Sequence, residues 1–181
     1  VTAEDLRAIS AKQLLVECVN AMGARFEDAG IQVLLENSIA TDTEESEHLN
    51  LVCDPNLVRE AVKRLLDNAA LYGRPESKHI WLSIHQSPES FTGIRICDEG
   101  RGIDADTLAT LSEPFAQGDR TGRTEPGAGM SLAMIQHIAQ LHGGYVEIDS
   151  TENAGTAVTL WLANRDCSGC MEYDLHESRV G

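Results

Sequence analysis

The stretch RICDEGRGIDADTL, Arg95–Leu108, joins an apolar strand pattern to a single carboxylate and two glycines. The apolar run ends at Asp98, and Gly100 and Gly102 follow. A carboxylate at the end of a buried strand can accept a hydrogen bond from the exocyclic amine of adenine, whereas guanine carries an acceptor at that position. Such a bond contributes about 1.5–3 kcal/mol, and glycines let the backbone turn sharply and approach a flat ring. The alternative is an aspartate in a tight turn whose glycines are required for φ alone.

The composition is that of one soluble globular domain. The chain has 181 residues, of which 42% are hydrophobic and 24% charged, as in ordinary globular proteins. Its formal net charge is -15. Since no basic cluster interrupts this acidic balance, nucleic-acid binding is excluded as a function class. The longest apolar runs are shorter than a bilayer span.

The two ends and the cysteines bear on the cellular setting. The chain begins at Val1 without Met and shows no signal peptide. We therefore expect a cytoplasmic fragment of a longer protein, with an anchor of the full-length protein in the inner or plasma membrane left open. Five cysteines, an odd number, favour a reducing compartment. Cys167 and Cys170 form a lone C-x-x-C that cannot fill a four-ligand zinc site. We interpret it as incidental, with a redox or metal role as the alternative.

Hydrophobic periodicity predicts alternating helices and strands. The helices are 10–29, 55–72 and 127–142, and the strands are 31–37, 49–53, 79–87, 91–98, 145–150 and 155–163. The strands mostly come in adjacent pairs. This favours a two-layer α/β sandwich, with a mixed, mostly antiparallel sheet of about five to six strands and three main helices on one face. The irregular segment from Glu99 to Pro126 is long enough to mark a flexible lid.

The second predicted helix contains an unusual polar residue. Asn68, in LLDNAALYG, has poor helix propensity. It lies along the edge of the apolar face, with Arg64 one turn before it and Tyr72 one turn after. Its amide oxygen is a hard ligand suited to Mg²⁺, which completes its coordination with water and phosphate oxygens. The alternative is a solvent-facing asparagine at a helix edge.

The last predicted helix opens with a glycine pair in EPGAGMSL. Gly127 and Gly129 lie in its first turn. Glycines there expose backbone N–H groups, and the positive end of the helix attracts phosphate. A G-x-G sequence is weak by itself, because it also serves simply to begin a helix.

In their order along the chain, these motifs resemble the ATP-binding catalytic domain of sensor histidine kinases. The resemblance includes Asn68 in an NAxxY helix, then DEGRGI, SEPF, and GAGMSLAMIQHIAQLHGG, and it covers roughly Ser10 to Ala163. The wider group includes the gyrase, Hsp90 and MutL ATPases. The resemblance implies a domain that binds Mg-ATP and transfers the γ-phosphoryl group to a histidine on a dimerisation domain, for relay to a response regulator. Residues 1–9 would then be the connector from that domain, and residues 164–181 a polar tail.

The resemblance also implies roles for the adenine and metal ligands. Asn68 would hold Mg²⁺ and act in catalysis, and Tyr72 would lie against the adenine. Asp98 would bind the exocyclic amine, partly through a water that Thr156 also holds. The adenine floor would be formed by Gly100, Gly102 and Ile103.

The lid and the phosphate cradle follow in the same way. Glu113 to Phe115 would hinge the lid, and Arg120 and Arg123 would reach the phosphates. The cradle and its neighbours would be Gly127, Ala128, Gly129, Met130, Ser131 and Leu132.

Three positions depart from the family pattern. Arg64 stands where a second asparagine is usual, Leu71 where a basic residue is usual, and Ser131 where a third glycine is usual. In the related ATPases the first of these positions holds the general base, a role that a cation cannot take. One hypothesis is that Arg64 supplies the positive charge that Leu71 lacks. The alternative is a degenerate nucleotide-binding module that regulates a partner with weak or no phosphotransfer.

The phosphoacceptor is expected outside this chain. None of the six histidines lies in an HELRTPL-like setting, and we expect His137 and His142 to be helix-surface residues. The partners would be the protein's own dimerisation domain, in a homodimer, and a response regulator. A clamp-type ATPase or an anti-sigma serine kinase of the same fold is a third interpretation. SEPF and the lack of a base at Arg64 count against the ATPase, and the connector-like N-terminus counts against the anti-sigma kinase.

Overall fold

The computed structural model describes residues 5–36, 49–73, 78–112 and 128–164. Within these ranges the chain forms seven strands and four helices. The strands are β1 (Arg7–Ser10), β2 (Gln32–Leu35), β3 (Asn50–Cys53), β4 (His79–Ser87), β5 (Phe91–Asp98), β6 (Tyr145–Thr151) and β7 (Gly155–Ala163). The helices are α1 (Ala11–Ala29), α2 (Pro55–Tyr72), α3 (Ala105–Ser112) and α4 (Ala128–Leu141).

Five of the strands form one mixed sheet in the order β2-β4-β5-β7-β6. The β2–β4 pairing is parallel, and the other three pairings of this sheet are antiparallel. A separate antiparallel pair is formed by β1 and β3. The prediction of a mixed, mostly antiparallel sheet of about five to six strands is therefore confirmed, with five strands in the sheet.

The core lies between this sheet and α1, α2 and α4. Alternate residues of the central strands point towards the helices, and their apolar side chains are buried together with those of the helices. The fully buried members with the largest side chains include Leu14, Leu15, Val58, Val62, Leu66, Ile80, Leu82, Ile94, Ile135, Leu160 and Leu162. The predicted arrangement of three main helices on one face of a sheet follows from this packing.

The predicted helix ends are confirmed where the structure describes them. Asp54 accepts hydrogen bonds from the backbone N–H groups of Asn56 and Leu57, and Pro55 is the first residue of α2. Gly30 ends α1 in the left-handed conformation, with φ of 66°. These ends depend on neighbouring residues only, which is why a sequence pattern is sufficient to predict them.

Two elements differ from the prediction. The segment from Glu99 to Pro126 is not wholly irregular, because α3 occupies Ala105–Ser112. Asp104 begins this helix by accepting hydrogen bonds from the backbone N–H and the hydroxyl of Thr107. The strand β1 was also not predicted: residues 1–9 were expected to be a connector, and β1 exists through its pairing with β3.

His142 corrects a further prediction. It is 2% exposed rather than on the helix surface. Its Nε2 accepts a hydrogen bond from the backbone N–H of Asp54 at 3.0 Å, and its Nδ1 lies 2.7 Å from the carbonyl of Ile138. His137, by contrast, is not buried and stays a surface residue as predicted. The HGG sequence is thus structural: His142 connects the end of α4 to the start of α2, and a Cβ at Gly144 would meet the carbonyl oxygen of Trp161.

Candidate nucleotide-binding site

Asp98 ends β5, the central strand of the sheet, and its side chain is partly buried. Its Oδ1 accepts a hydrogen bond from the backbone N–H of Gly100 at 2.7 Å, and the backbone N–H of Thr156 donates to the same carboxylate. Burial raises the pKa of Asp98 above its ordinary value, and the two backbone hydrogen bonds oppose that rise. The site therefore holds a desolvated carboxylate in a fixed orientation.

The sheet register extends this carboxylate into a row of polar side chains. Asp98 is the cross-strand partner of Thr156, and Thr156 is the partner of Ser150 on β6. Directly paired residues project to the same face of the sheet. The three side chains therefore lie next to Ile96, Val158 and Ile148, which form the neighbouring cross-strand row on that face. One end of the helix-covered face is thus polar where the rest is apolar.

The glycines of DEGRG are needed for close backbone approaches. A Cβ at Gly100 would lie 2.6 Å from the carbonyl oxygen of Tyr72, at the end of α2. Gly102 has φ of 68°, and a Cβ there would also meet the carbonyl oxygen of Thr151. The segment after Asp98 is therefore packed between the end of α2 and the turn that joins β6 to β7. Approach to a purine ring stays a prediction.

Ser150 is a site residue that sequence reasoning missed. Its Oγ accepts a hydrogen bond from the N–H of Ile103 at 2.9 Å, donates to the carbonyl of Gly155 at 3.0 Å, and lies 2.9 Å from the hydroxyl oxygen of Thr156. The available signal was its place in YVEIDS, where alternation puts a hydroxyl on the face that carries Val146 and Ile148. Ser150 connects the predicted adenine floor to the row that contains Asp98.

The last two turns of α2 contribute Asn68 and Tyr72, both partly buried. The guanidinium carbon of Arg101 lies 5.2 Å from the centre of the Tyr72 ring, within the range of a cation–π interaction. Its backbone N–H also donates to the carbonyl of Tyr72 at 3.4 Å. Arg101 was not among the predicted site residues, although it lies inside the DEGRG sequence.

Arg64 lies one turn before Asn68, and its guanidinium pairs with Glu60 at 2.8 Å. Its Nε is buried and has no hydrogen-bond partner among the residues that the structure describes. Leu71 is 69% exposed, as expected for a position where the family usually has a basic residue. Arg64 is thus the cationic residue nearest to Asn68 along α2, and its side chain is already paired with the carboxylate of Glu60.

The phosphate side of the predicted site is described in part. Helix α4 begins at Ala128, and its first turn includes Gly129, Met130 and Ser131, followed by the partly buried Leu132. Glu113, Phe115, Arg120, Arg123 and Gly127 lie outside the described residues. The confirmed part of the prediction is that a helix begins here. Binding of a phosphate by its first N–H groups stays a prediction.

The metal prediction concerns a single amide. Among the described residues, no group of three or more His, Cys, Asp and Glu side chains is placed to hold a metal ion. An amide oxygen supplemented by water and phosphate oxygens suits Mg²⁺, which takes few protein ligands when it binds a nucleotide. Asn68 fits that donor set.

In the same described ranges, no helix is long and apolar enough to cross a bilayer.

Comparison with known proteins places this chain in a family. Residues 53–166 match the family model described as histidine kinase-, DNA gyrase B-, and HSP90-like ATPase. The chain is 26% identical to the circadian input-output histidine kinase CikA of Synechococcus elongatus over 161 residues, which are 88% of this chain and 20% of that protein. It is 36% identical to the sensor protein BasS of Salmonella typhimurium over 111 residues, 60% of this chain and 29% of that protein.

Solved structures give the same result for the fold. The catalytic domain of histidine kinase ThkA superposes with a TM-score of 0.70 at 17% identity, covering 88% of this chain and 95% of that one. The histidine kinase domain of the E. coli osmosensor EnvZ gives 0.61 at 23% identity, covering 97% and 96%.

The chain belongs to the histidine kinase-, DNA gyrase B- and HSP90-like ATPase family, whose members bind ATP. The curated relatives that it resembles include histidine kinases, and the solved structures named above are histidine kinase domains. It spans less than a third of the length of either relative named above.

Proposed function

We propose that this domain binds Mg-ATP with the adenine at Asp98 and delivers the γ-phosphoryl group to a histidine on a dimerisation domain. The observation that carries the proposal is the partly buried carboxylate at the end of β5, oriented by the N–H groups of Gly100 and Thr156. Desolvating a carboxylate costs stability in the free protein, and perturbed groups of this kind concentrate at functional sites.

The purine edge would be recognised by hydrogen-bond polarity. The ionised Asp98 only accepts hydrogen bonds, so it favours the 6-amino group of adenine and disfavours the 6-oxo group of guanine. Gly100, Gly102 and Ile103 would form the floor below the base, and Tyr72 would lie against it. The Tyr72 ring is covered on one side by Arg101.

The phosphate side would combine a helix N-terminus with one amide. The first turn of α4, Ala128 to Ser131, would present N–H groups to the phosphates. Asn68 would hold the magnesium ion, which when bound neutralises phosphate charge. Outside the described residues, Phe115 would belong to the lid, and Arg120, Arg123 and Gly127 would complete the phosphate contacts.

Phosphoryl transfer of this kind relies on positioning and charge neutralisation rather than on covalent chemistry of the protein. The nucleophile would be the imidazole of the acceptor histidine, so a strong base at the Arg64 position is not required. The acceptor domain, a homodimer and a response regulator receiver domain are the implied partners. Residues 1–9 would lead from the acceptor domain, and the reaction would take place in the cytoplasm.

The nucleotide proposal is tested by titrating MgATP, MgADP and MgGTP into the wild type and Asp98→Asn. We expect adenine-selective binding in the wild type and a loss of about 10- to 100-fold in ATP affinity in the variant, as for a hydrogen bond to a charged group. Glu99→Gln is the matched control, because it removes one charge at the next position, where the carboxylate pairs with His79 instead. Equal affinity for GTP in the wild type would refute the proposal.

Two further experiments separate efficient kinase activity from the degenerate alternative. The isolated chain should bind ATP without labelling itself from radiolabelled ATP, since the acceptor lies elsewhere, and the full-length protein should label its acceptor histidine. The Glu60–Arg64 ion pair and the exposed Leu71 favour the degenerate alternative. If Arg64→Ala leaves ATP affinity and transfer rate unchanged, Arg64 does not replace the missing basic residue.

A further inference from the structure

Ser150 makes three hydrogen bonds with one hydroxyl group. The backbone N–H of Ile103 lies 2.9 Å from its Oγ, the carbonyl oxygen of Gly155 lies 3.0 Å away, and the Thr156 hydroxyl oxygen lies 2.9 Å away. A serine hydroxyl offers one hydrogen and two lone pairs. The three partners therefore use its full hydrogen-bonding capacity.

The chemistry of two of these partners fixes the direction of the third hydrogen bond, the one between Ser150 and Thr156. A carbonyl oxygen only accepts, so the hydrogen of Ser150 goes to Gly155. A backbone N–H only donates, so one lone pair of Ser150 accepts from Ile103. For all three bonds to form together, the hydroxyl of Thr156 must donate its own hydrogen to the remaining lone pair of Ser150.

Thr156 then has no hydrogen left for a ligand. Its hydroxyl is directed to Ser150, and its backbone N–H donates to the Asp98 carboxylate. The Thr156 oxygen therefore offers only lone pairs beside Asp98, its direct partner in the sheet register. Two adjacent acceptors face the same space at the end of the polar row.

We infer that Ser150 is a positioning residue for base selectivity: by fixing the hydroxyl of Thr156 as an acceptor, it makes this edge of the site reject purines with an oxygen at position 6. The inference rests on the proposed function, because it requires the purine edge to lie at Asp98. A 6-amino group donates to such an edge, whereas a 6-oxo group finds no donor there, so that only the N1–H beside it can donate.

A bridging water leaves this preference unchanged. A water shared by Asp98 and Thr156 gives one hydrogen to each acceptor, so it can offer the base only a lone pair. Such a water accepts from an amine and has no hydrogen for a 6-oxo group. When Ser150 is absent, the Thr156 hydroxyl can rotate and donate, either to the base directly or to the water, which then has a hydrogen to spare.

The test compares ATP with inosine triphosphate, whose base carries an oxygen in place of the 6-amino group. Binding of both nucleotides, with Mg²⁺, is measured for the wild type, Ser150→Ala and Ser150→Thr, and unfolding is followed in parallel. We expect Ser150→Ala to reduce the ratio of the two affinities by about threefold to tenfold, the range of one hydrogen bond. Ser150→Thr keeps the hydroxyl in a strand position and should stay within about twofold of the wild-type ratio.

A double-mutant cycle distinguishes selectivity from general loosening. In a Thr156→Val background the hydroxyl is missing, so Ser150→Ala should no longer change the ratio. Ser83→Ala is the matched control: Ser83 is a buried serine bonded to His85 at 2.8 Å, and its loss should lower stability without altering the ratio. If Ser150→Ala does not fold, Ser150→Cys fills the same space with weaker hydrogen bonds and should shift the ratio in the same direction.

The outcomes separate this inference from the proposed function. If the wild type binds ATP and inosine triphosphate equally, the proposed adenine site itself is wrong. If the wild type is selective but Ser150→Ala lowers both affinities by the same factor, Ser150 has a purely structural role and the inference is overturned. The inference also fails if Ser150→Thr reduces the ratio as much as Ser150→Ala does, or if the effect persists in Thr156→Val.

Discussion

The two ends of α2 both carry polar residues and a nearby glycine. They differ in whether those residues leave hydrogen-bonding groups available to a ligand. At the start of the helix, Asp54 accepts from two backbone N–H groups and donates its own N–H to His142, whose other ring nitrogen lies against Ile138. Near the end of the helix, Asp98 is oriented by backbone N–H groups but remains a carboxylate with unused lone pairs.

This difference separates structural polarity from functional polarity. A buried polar group whose hydrogen bonds are all internal stabilises the fold and has nothing to offer a ligand. A partly buried group with remaining capacity is costly in the free protein and gains a partner on binding. Substitutions at the first end should therefore change stability, and substitutions at the second should change nucleotide binding.

The largest expected effect is on stability at the start of α2. His142→Ala removes a buried ring and leaves the N–H of Asp54 and the carbonyl of Ile138 without their partner, so we expect a loss of about 2–4 kcal/mol in the free energy of unfolding. Denaturant titration measures this loss. His137→Ala, at an exposed position of α4, should change it by less than about 0.5 kcal/mol. Equal losses in the two variants would contradict the structural role of His142.

The next effect is on base selectivity and depends on pH. Burial raises the pKa of Asp98, so as pH falls the carboxylate takes up a proton at a higher pH than the ordinary value of about 3.9. A protonated oxygen no longer accepts from the 6-amino group, and the ratio of ATP to GTP affinity should fall towards one. The ratio is the appropriate quantity because titration of the triphosphate affects both nucleotides alike.

Unfolding would not account for this loss of selectivity. Since the folded state binds the Asp98 proton more tightly than the unfolded chain does, acidification through the raised pKa favours the folded state as far as this group is concerned. Asp98→Asn is the control and should show a low ratio that does not vary with pH. A wild-type ratio that stays constant down to about pH 4, near the ordinary aspartate pKa, would mean that Asp98 does not recognise the base.

A smaller effect is expected from the cap of α2. Asp54→Ala removes the side chain that accepts from Asn56 and Leu57 and should lower stability by about 1 kcal/mol. Asp54→Asn keeps an acceptor at the cap and should lower it much less. Thermal unfolding of both variants, with ATP affinity measured below the transition, would show whether this end is independent of the site; a large loss of affinity would disprove that independence.

The smallest effect is on stability at the Asp98 end. Asp98→Asn removes a desolvated charge but retains an acceptor for Gly100, so the free energy of unfolding should change by less than about 1 kcal/mol. Denaturant titration near neutral pH checks this. A loss as large as that in His142→Ala would mean that the two ends of α2 do not differ in the way proposed here.

The sequence predicted the local features of the fold well. Helix α2 and its cap at Asp54, the strand that ends at Asp98, and the glycines that follow all depend on periodicity or on residues close together in the chain. The predictions that were wrong involved weak local signals: α3 lies in a segment rich in polar residues, and the strand β1 depends on its pairing with β3.

The contacts of His142 and Ser150 are of a different kind. His142 meets Asp54 across 88 positions of sequence, and Ser150 meets Ile103 across 47. An HGG or an IDS sequence does not show which backbone group will lie opposite it, because that depends on helix packing and on strand register.

From sequence alone the chain determines most of its helices and strands, its family resemblance, and a carboxylate followed by glycines where an adenine would bind. Only the tertiary structure decides that Ser150 is saturated, that Thr156 is left as an acceptor beside Asp98, and that His142 is buried in a structural role. The physical reason is that hydrogen-bond capacity is a property of a whole neighbourhood. A hydroxyl or an imidazole has the same groups in any sequence, and the folded arrangement decides which of them remain available to a ligand.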